Sequence, residues 1–233
     1  MTLPFFYISN YDGTQKQIVL NEETSKHVVQ VLRMKVGEQM NLTDGKGTLL
    51  TCEIAEVNKK HCSVMVSEIK NKNPKTKNIS IAISLLKNVN RFEWFLEKAT
   101  EIGVSEIIPL ICQRTEKEKF RYERMQGICI SAMLQSQQVW LPVLHNPTEF
   151  EKTVSQSGAT QKYIAHCDEG PQNQLTNQPI NQSTIILIGP EGDFTKEEIE
   201  LALKNSFVPV SLGDTRLRTE TAGIVATTLL CQI

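Results

Sequence analysis

The amino-acid sequence predicts an α/β protein with a mainly parallel sheet, preceded by a small β-rich domain. Residues 1–70 consist mostly of short runs of strand length, whereas continuous apolar runs alternate with amphipathic helical patterns beyond residue 78. Strands that are apolar on both faces and alternate with helices are typical of parallel sheets. The polar, basic stretch between the two patterns contains Pro74 and indicates a linker. We therefore expect a first domain at 1–70, a linker at 71–78 and a second domain at 79–233.

The first domain has four runs of strand length and one helical segment. The strand runs are QIVL, QMNLT, TLLTCEIAEV and CSVMVSEI, and Asp44 with the glycine after it signals a hairpin turn between two of them. The segment NEETSKHVVQVL predicts a short helix that Asn21 caps, with an apolar stripe of Val28, Val31 and Leu32. Together these elements predict a small β-barrel.

The second domain alternates strands and helices. Apolar runs predict strands at 79–86, 107–112, 163–167, 184–189 and 208–213. Helical spacing predicts helices at 91–103, 120–136, 195–205 and 219–231. Gly103 stands at the C-cap position of the first of these helices. Pro209 fits a sheet edge or a bulge better than a central ladder, because proline cannot donate a ladder hydrogen bond.

Composition and charge narrow the class of protein. The net charge of −1 argues against a general polyanion binder, yet residues 1–77 hold 11 Lys/Arg against 8 Asp/Glu and residues 151–233 hold 6 against 10. The N-terminal basic excess favours a surface there that faces nucleic acid. The six cysteines and four histidines show no metal-ligand spacing, so we expect reduced, buried thiols and no metal. Neither a signal-peptide pattern nor an apolar run of membrane-spanning length is found, which predicts a cytoplasmic protein without membrane contact.

The stretch IILIGPEGDFTKEEIE reads as a strand, a glycine-bearing turn and a helix. Phosphate sites often have this layout, but a Walker loop and a GxGxxG pattern are both missing, and Glu191 and Asp193 would repel a phosphate. Thr195 with Glu198 fits a capping box, which explains the acids at the start of the helix. One proline and two glycines leave the turn poor in side chains, so that a ligand can approach the backbone. An uncharged or cationic ligand suits such a turn.

Two further loops share this character. SLGDTRLRTETAG (211–223) follows an apolar run and carries Arg216 and Arg218, and IAHCDEG (164–170) covers the end of another run. The carboxyl ends of parallel strands meet at one sheet edge, where ligands bind in open α/β folds. We therefore expect the three loops to lie at one ligand-binding edge.

Four motifs resemble those of one family. HVVQVLRMKVGE (27–38), LLKNVNRFEWFLEKATEIGV (85–104), LIGPEGDF (187–194) and LGDTRLRTETA (212–222) are similar to segments of the bacterial 16S ribosomal RNA uridine N3-methyltransferases, the RsmE family of SPOUT methyltransferases. The resemblance covers nearly the whole chain, and the last two motifs at this spacing are strongly specific. It implies a PUA-like β-barrel that helps to hold RNA, a SPOUT α/β domain with a deep C-terminal trefoil knot, and a homodimer.

The resemblance also implies S-adenosylmethionine as the cofactor, which carries no phosphate but has an adenine, a ribose and a sulfonium cation. Backbone groups of the last two motifs would pair with the adenine and the ribose, and three leucines would wall the ring. The implied cofactor-binding residues are Leu187, Gly189, Pro190, Glu191, Gly192, Leu212, Gly213, Leu217 and Arg218. Glu191 either is structural or faces the sulfonium.

Methylation at N3 of uracil needs help from the protein. This nitrogen is a poor nucleophile until its proton leaves, so catalysis requires a base or a cation that stabilises the uracilate. We expect Arg218 to be the cation, and Glu220 to be either the base or a group that orients Arg218. Because N3 lies on the base-pairing edge, the target uridine must be unpaired or extruded. The implied partner is 16S rRNA or the small ribosomal subunit, and candidate contacts to its phosphates are Arg33, Lys35, Lys87, Arg91 and Arg114.

The chain departs from the family pattern at LQSQQVWLP (134–142). Leu134 replaces an acid, Gln138 replaces a basic residue and Trp140 stands where a polar side chain is common. No RNA or dimer contact is therefore carried over to Leu134 or Gln138. Two alternatives stay open, a methyltransferase of the same fold acting on another RNA position and a non-catalytic RNA-binding or ribosome-assembly factor.

Overall fold

The chain divides into two compact units. The computed structural model describes residues 3–74, 76–116, 119–167, 173–178, 180 and 182–232. The N-terminal unit comprises Met1–Pro74 and Met133–Leu141, and the C-terminal unit comprises Lys75–Ala132 and Pro142–Ile233. The division expected from the sequence assigns 133–141 to the second domain, whereas the structure groups this segment with the first unit.

The N-terminal unit is built on a five-stranded sheet. Its strands are β1 (Phe5–Tyr7), β2 (Gln17–Val19), β3 (Gln39–Thr43), β4 (Thr48–Glu56) and β5 (Ser63–Asn71). They lie in the order β1-β3-β4-β5-β2, with β1 parallel to β3 and the other pairs antiparallel. Side chains of alternate residues on the central strands, such as Met40, Leu42, Leu50 and Val64, are fully buried and form the core.

Two local signals in this unit are confirmed. Helix α1 (Glu22–Lys26) begins after Asn21, whose side chain accepts a hydrogen bond from a first-turn amide at 2.8 Å. Residues 44–47 join β3 to β4 as the predicted hairpin loop. Within that loop, the Asp44 carboxylate accepts hydrogen bonds from two backbone amides, at 2.8 and 3.1 Å. Short polar side chains thus supply both the helix cap and the turn.

A π-helical turn, His27–Val31, continues α1 and changes which side chains face the core. The predicted apolar stripe is right for Val28, which is fully buried, but wrong for Val31 and Leu32, which are 66% and 41% exposed. The wider π turn shifts the residues after Val28 out of α-helical register, and the backbone then turns left-handed at Arg33, with φ of 54°. The end of this segment therefore presents apolar and basic side chains to solvent.

Residues 139–141 run beside the β3–β4 hairpin within the N-terminal unit. The Gly47 amide donates to the Val139 carbonyl, and the Leu141 amide donates to the Gly45 carbonyl, each at 2.8 Å. The Trp140 ring lies on Gly47, where an added Cβ would come within 2.4 Å of the ring. Gly47 also has φ of +100°, a conformation that favours glycine. The indole thus occupies space that only a glycine leaves open.

The C-terminal unit packs helices against a parallel sheet. Its strands are β6 (Ile79–Ser84), β7 (Glu106–Ile111), β8 (Val143–Leu144), β9 (Thr148–Glu149), β10 (Gln161–Ala165), β11 (Asn173–Gln174), β12 (Thr184–Ile188) and β13 (Val208–Ser211). Its helices are α2 (Val89–Ile102), α3 (Tyr122–Gln135, whose last three residues belong to the N-terminal unit), α4 (Phe150–Gln156), α5 (Lys196–Lys204) and α6 (Thr219–Gln232). The strand order is β11-β13-β10-β12-β6-β7-β8, with β9 also beside β7. All of these pairs are parallel, which confirms the predicted fold class.

Two glycines set the positions of α2 and α6. Gly103 ends α2 in the left-handed conformation, as predicted, with φ of 101°. At Gly223 in α6, an added Cβ would lie 2.7 Å from the Phe95 ring and 2.8 Å from the Ile83 side chain. Because Gly223 has no side chain, α6 packs directly against α2 and β6.

The sheet edge and the cysteines also bear on predictions from the sequence. Pro209 in β13 lies opposite Ile164 of β10, and pairing with β11 begins only at the next residue, which agrees with a place near the sheet edge. No disulfide joins any of the six cysteines, all of which lie in the described ranges. Four of them are buried as predicted, but Cys167 is exposed and Cys231 is partly exposed.

Candidate functional site

One cavity of about 890 Å³ opens at the carboxyl ends of three neighbouring strands of the C-terminal unit, β13, β10 and β12. Its walls come from the segments that follow these strands and from the start of α6. The lining residues are 165–167, 188–191, 193, 210–219 and 222. The three loops that the sequence places at one sheet edge do meet there, with the 164–170 loop followed as far as residue 167, because residues 168–170 lie outside the described part of the chain.

Most of the predicted cofactor-binding residues line this cavity. The seven that do so are Gly189, Pro190, Glu191, Leu212, Gly213, Leu217 and Arg218. Leu187 does not line it, because β12 is a central strand and its side chains are buried on both faces within the sheet core. Gly192 does not line it either, since a Cβ added there would point at Arg114, 3.3 Å from its Cδ.

The turn between β12 and α5 is compact and closely packed. The Asp193 amide donates to the Pro190 carbonyl at 2.9 Å, and Asp193 itself has φ of 62°. A Cβ added at Gly189 would lie 3.2 Å from the ring and backbone nitrogen of Phe194. Phe194 is buried and packs on Phe150, with ring centroids 5.2 Å apart. The glycine therefore serves close packing as well as access to the backbone.

Two neighbouring loops hold this turn. The Lys87 amide, after β6, donates to Oε1 of Glu191 at 3.3 Å. Arg114, after β7, donates from Nη1 to the carbonyl oxygens of Gly192 at 2.6 Å and Phe194 at 3.4 Å. Glu191 thus has a structural contact, and the guanidinium of Arg114, a predicted RNA contact, is engaged with the turn.

The first turn of α5 adds a further link. Thr195 and Glu198 form the predicted capping box. The buried Glu198 carboxylate also accepts a hydrogen bond from the Gln113 amide at 2.8 Å. This second role connects α5 to the loop after β7, and no pattern in the sequence indicates it.

The two predicted catalytic residues occupy different surroundings. Arg218 is exposed and lines the cavity. Glu220, in the first turn of α6, is only 7% exposed, and its Oε1 lies 3.6 Å from Nε of Arg91 in α2. Its Oε2 is buried and has no hydrogen-bond partner among the described residues. Burying an oxygen without a hydrogen-bond partner costs free energy, so a hydrogen bond donated to this atom would be favourable.

The remaining predicted RNA contacts lie in both units. Arg33 and Lys35 are exposed in the N-terminal unit, directly after the π turn. Lys87 in the C-terminal unit forms an ion pair with Glu116 at 2.7 Å, and both side chains are mostly exposed.

Several lining residues are missed by reasoning from the sequence. His166 and Cys167 follow β10, and Asp193, Thr215 and Thr219 lie inside motifs that the sequence analysis singles out. The segments that carry them are expected at the ligand-binding edge because they follow parallel strands, but no feature of the sequence singles out these side chains.

Within the described ranges, no group of three or more His, Cys, Asp or Glu side chains could hold a metal ion. Likewise, no helix in these ranges has the length and apolar character needed to span a membrane.

Comparison with known proteins points to one family. A family model described as an RNA methyltransferase domain matches residues 72–231, and one described as an RNA methyltransferase PUA domain matches residues 20–66. A Rickettsia conorii protein named ribosomal RNA small subunit methyltransferase E is 29% identical over 227 residues, or 94% of this chain and 91% of the relative.

Solved structures agree with this match. The crystal structure of a probable rRNA-methyltransferase from Porphyromonas gingivalis is 37% identical with a TM-score of 0.90, covering 99% of this chain and 96% of that one. A ribosomal RNA small subunit methyltransferase E from Neisseria gonorrhoeae, bound to S-adenosyl methionine, is 26% identical with a TM-score of 0.88, covering 99% and 97%.

Proposed function

Since this chain belongs to the RNA methyltransferase family, we propose that it transfers a methyl group from S-adenosylmethionine to N3 of a uridine in 16S rRNA of the small ribosomal subunit. The observation that carries the proposal is the cavity at the carboxyl ends of β10, β12 and β13, where the glycine turn and the LGDTRLRTETA loop meet. Relatives across the full length of the chain are named small-subunit rRNA methyltransferases, which supports the substrate.

The residues around the cavity fit this cofactor. A volume of about 890 Å³ accommodates a ligand of nucleoside size or larger. The turn at 189–191 and the loop at 212–217 supply backbone donors and acceptors, and the partly buried Leu212 and Leu217 supply apolar contact for a base ring. Three carboxylates line the cavity, Glu191, Asp193 and Asp214, against two arginines, so the wall does not select a phosphate-bearing ligand and tolerates a sulfonium.

Glu220 and Arg218 have different proposed roles in the reaction of the uracil ring. When bound, S-adenosylmethionine would supply an electrophilic methyl group: the bond from N3 to carbon would form as the carbon–sulfur bond breaks, S-adenosylhomocysteine would leave, and the N3 proton would pass to a base. Oε2 of Glu220 has no hydrogen-bond partner among the described residues and Oε1 faces Arg91 rather than Arg218, which supports Glu220 as the base that takes this proton. Arg218, exposed at the cavity, stabilises the negative charge that develops on the uracil oxygens.

RNA recognition falls to both units. The match of residues 20–66 to a PUA domain supports RNA binding by the N-terminal unit, with Arg33 and Lys35 as phosphate contacts. In the C-terminal unit, the Lys87 amide donates to Glu191 and the Arg91 side chain faces Glu220. These contacts bring Lys87 close to a proposed cofactor-binding residue and Arg91 close to the proposed base. An rRNA substrate places the reaction in the cytoplasm. The trefoil knot stays a prediction from the resemblance.

A homodimer is part of the proposal. Helix α6 is rich in apolar residues, and Ile224, Val225 and Leu229 remain partly exposed in the single chain. Exposed apolar side chains grouped on one helix mark an interaction surface, so we expect a second copy of the chain to cover them. Sedimentation analysis should give twice the chain mass for the wild type and a smaller species for Val225→Asp.

Calorimetric titration with S-adenosylmethionine tests the proposal at its first step. We expect one site per chain with a dissociation constant in the micromolar range, about −8 kcal/mol. No detectable binding would reject the enzyme and leave a non-catalytic RNA-binding factor as the better account.

A further inference from the structure

One side chain joins two loops that line the cavity. Asp193 belongs to the turn after β12, and its Oδ2 accepts a hydrogen bond from the Cys167 amide, in the loop after β10, at 2.7 Å. Its Oδ1 accepts a hydrogen bond from the Phe194 amide at 2.8 Å. Asp193 and Cys167 both line the cavity, and β10 and β12 are neighbouring strands.

The backbone fixes this carboxylate in place. Asp193 has φ of 62°, a left-handed conformation that aspartate tolerates better than most residues, and its amide donates to the Pro190 carbonyl. The side chain therefore leaves the turn in a defined direction. Hydrogen bonds from backbone amides to an ionised carboxylate are stronger than those between neutral groups. The contact to Cys167 is thus a firm link between the two loops.

We propose that Asp193 is a positioning residue that ties the 165–167 loop to the 189–194 turn and so sets the separation of two cavity walls before the ligand binds. The inference rests on the proposed function for the identity of the ligand, S-adenosylmethionine. Walls that are already in place reduce the ordering that binding requires, so losing the link weakens binding. The Asp193 carboxylate, which would repel a phosphate, thus has a structural role in holding the cavity walls at a fixed separation.

Two substitutions separate the link from the backbone conformation. Asp193→Asn keeps the size of the side chain and tolerates the left-handed φ. It replaces one acceptor oxygen by an NH₂ donor, which would face a backbone N–H donor. Asp193→Gly keeps the backbone free of strain and removes both acceptors. Ser206 offers a matched control, because it also has a left-handed φ, of 66°, is exposed, and does not line the cavity. Ser206→Gly therefore replaces a residue in the same left-handed conformation by glycine and leaves the hydrogen bond between Asp193 and Cys167 unchanged.

The experiment combines titration with S-adenosylmethionine and amide hydrogen exchange at Cys167 in the ligand-free protein. For both Asp193 variants we expect the dissociation constant to rise about tenfold, as for the loss of a charge-assisted hydrogen bond. Exchange at Cys167 should accelerate about tenfold in Asp193→Gly, which offers no side-chain acceptor, and by a smaller factor in Asp193→Asn, whose single amide oxygen serves only one of the two backbone amides. Ser206→Gly should leave both quantities at their wild-type values, and thermal unfolding of each variant checks that it is folded.

The outcomes are distinguishable. Unchanged exchange at Cys167 in folded Asp193→Asn and Asp193→Gly would show that no link exists, even if binding weakens through direct contact of the carboxylate with the ligand. Faster exchange with unchanged affinity would show a link that does not position the ligand, and would equally overturn the inference. Failure of the wild type to bind S-adenosylmethionine would instead overturn the proposed function, while the exchange rates still decide whether Asp193 ties the loops.

Discussion

The Nε atom of Arg91 lies 3.6 Å from Oε1 of Glu220 and joins the start of α2 to the first turn of α6. The other carboxylate oxygen of Glu220 is buried and has no hydrogen-bond partner within the described ranges. One oxygen thus faces a cation while the other is left to accept a hydrogen bond or a proton. Thr219 and Ala222, on either side of Glu220, both line the cavity, so this carboxylate stands next to the proposed site of methyl transfer.

Glu220→Gln should abolish most of the catalysis and leave cofactor binding intact. The amide keeps the shape of the side chain but cannot take the N3 proton, so we expect kcat to fall about 10²- to 10⁴-fold. The dissociation constant for S-adenosylmethionine should change less than about twofold, since Glu220 does not line the cavity. Glu200→Gln, on the exposed side of α5, is the control. A Glu220→Gln enzyme with wild-type kcat would exclude the base role.

Arg91→Met should destabilise the protein through Glu220. Removing one partner of a buried pair costs about 3–5 kcal/mol, but Arg91 is 40% exposed and solvent screens the pair, so we expect a loss of about 1–3 kcal/mol in the free energy of unfolding. In the double variant Arg91→Met/Glu220→Gln the buried charge is gone, and most of this loss should disappear. Urea denaturation of the four proteins gives the coupling. Strictly additive losses would mean that the two residues do not interact.

Alanine at two helical glycines should have opposite effects on stability. Gly127 in α3 has open space where a Cβ would stand, so Gly127→Ala should stabilise by up to about 1 kcal/mol through helix propensity. Gly223→Ala would place its Cβ 2.7 Å from the Phe95 ring and should destabilise by about 1–3 kcal/mol. Thermal or urea unfolding measures both. Equal effects would contradict the close packing of α6 on α2.

Cys167 should report the charges around the cavity through its alkylation rate. Burial, and next the Asp193 carboxylate, raise the pKa of the Cys167 thiol above its ordinary value, while Arg216 lowers it. Only the thiolate reacts, so the rate should rise with pH through a raised pKa. Asp193→Asn should move this profile to lower pH and Arg216→Gln to higher pH.

The other thiols interfere little with this measurement. Burial raises the pKa of Cys52 and Cys129 to about 11 and that of Cys112 to about 12, so these side chains are both inaccessible and protonated. Iodoacetamide labelling with peptide mass spectrometry resolves Cys167 from Cys231. Shifts of the same sign in both variants would contradict the placement of the two charges.

Much of the fold follows from local patterns in the sequence. The alternation of apolar strands with amphipathic helices is enough to indicate the parallel sheet, and the caps at Asn21, Gly103 and Thr195 stand where short-range chemistry puts them. The stripe through Val31 and Leu32 fails because a π turn breaks the α-helical period, and no residue type signals that break. The return of 133–141 to the first unit depends on contacts that are distant in sequence and have no periodic signature.

In the candidate site, too, contacts between residues distant in sequence could not be predicted from local patterns. Residues directly after β12 and β13 are found by their position, whereas the links among loops come from long-range contacts. Glu191 meets the loop after β6, Arg114 meets the turn after β12, and Asp193 meets the loop after β10. From the sequence, Glu191 is expected to contact the cofactor and Arg114 to contact RNA, while Asp193 is only a carboxylate that would repel a phosphate. The structure gives each of them a partner in a neighbouring loop.

Nucleoside mass spectrometry of 16S rRNA shows whether this protein forms N3-methyluridine in the cell. The rRNA is taken from cells that lack this gene and from the same cells complemented with the wild type or with Arg218→Ala. The account predicts that N3-methyluridine disappears on deletion, returns with the wild-type protein, and stays at least about 100-fold reduced in rate of formation with Arg218→Ala. Unchanged N3-methyluridine in the deletion strain would contradict the account.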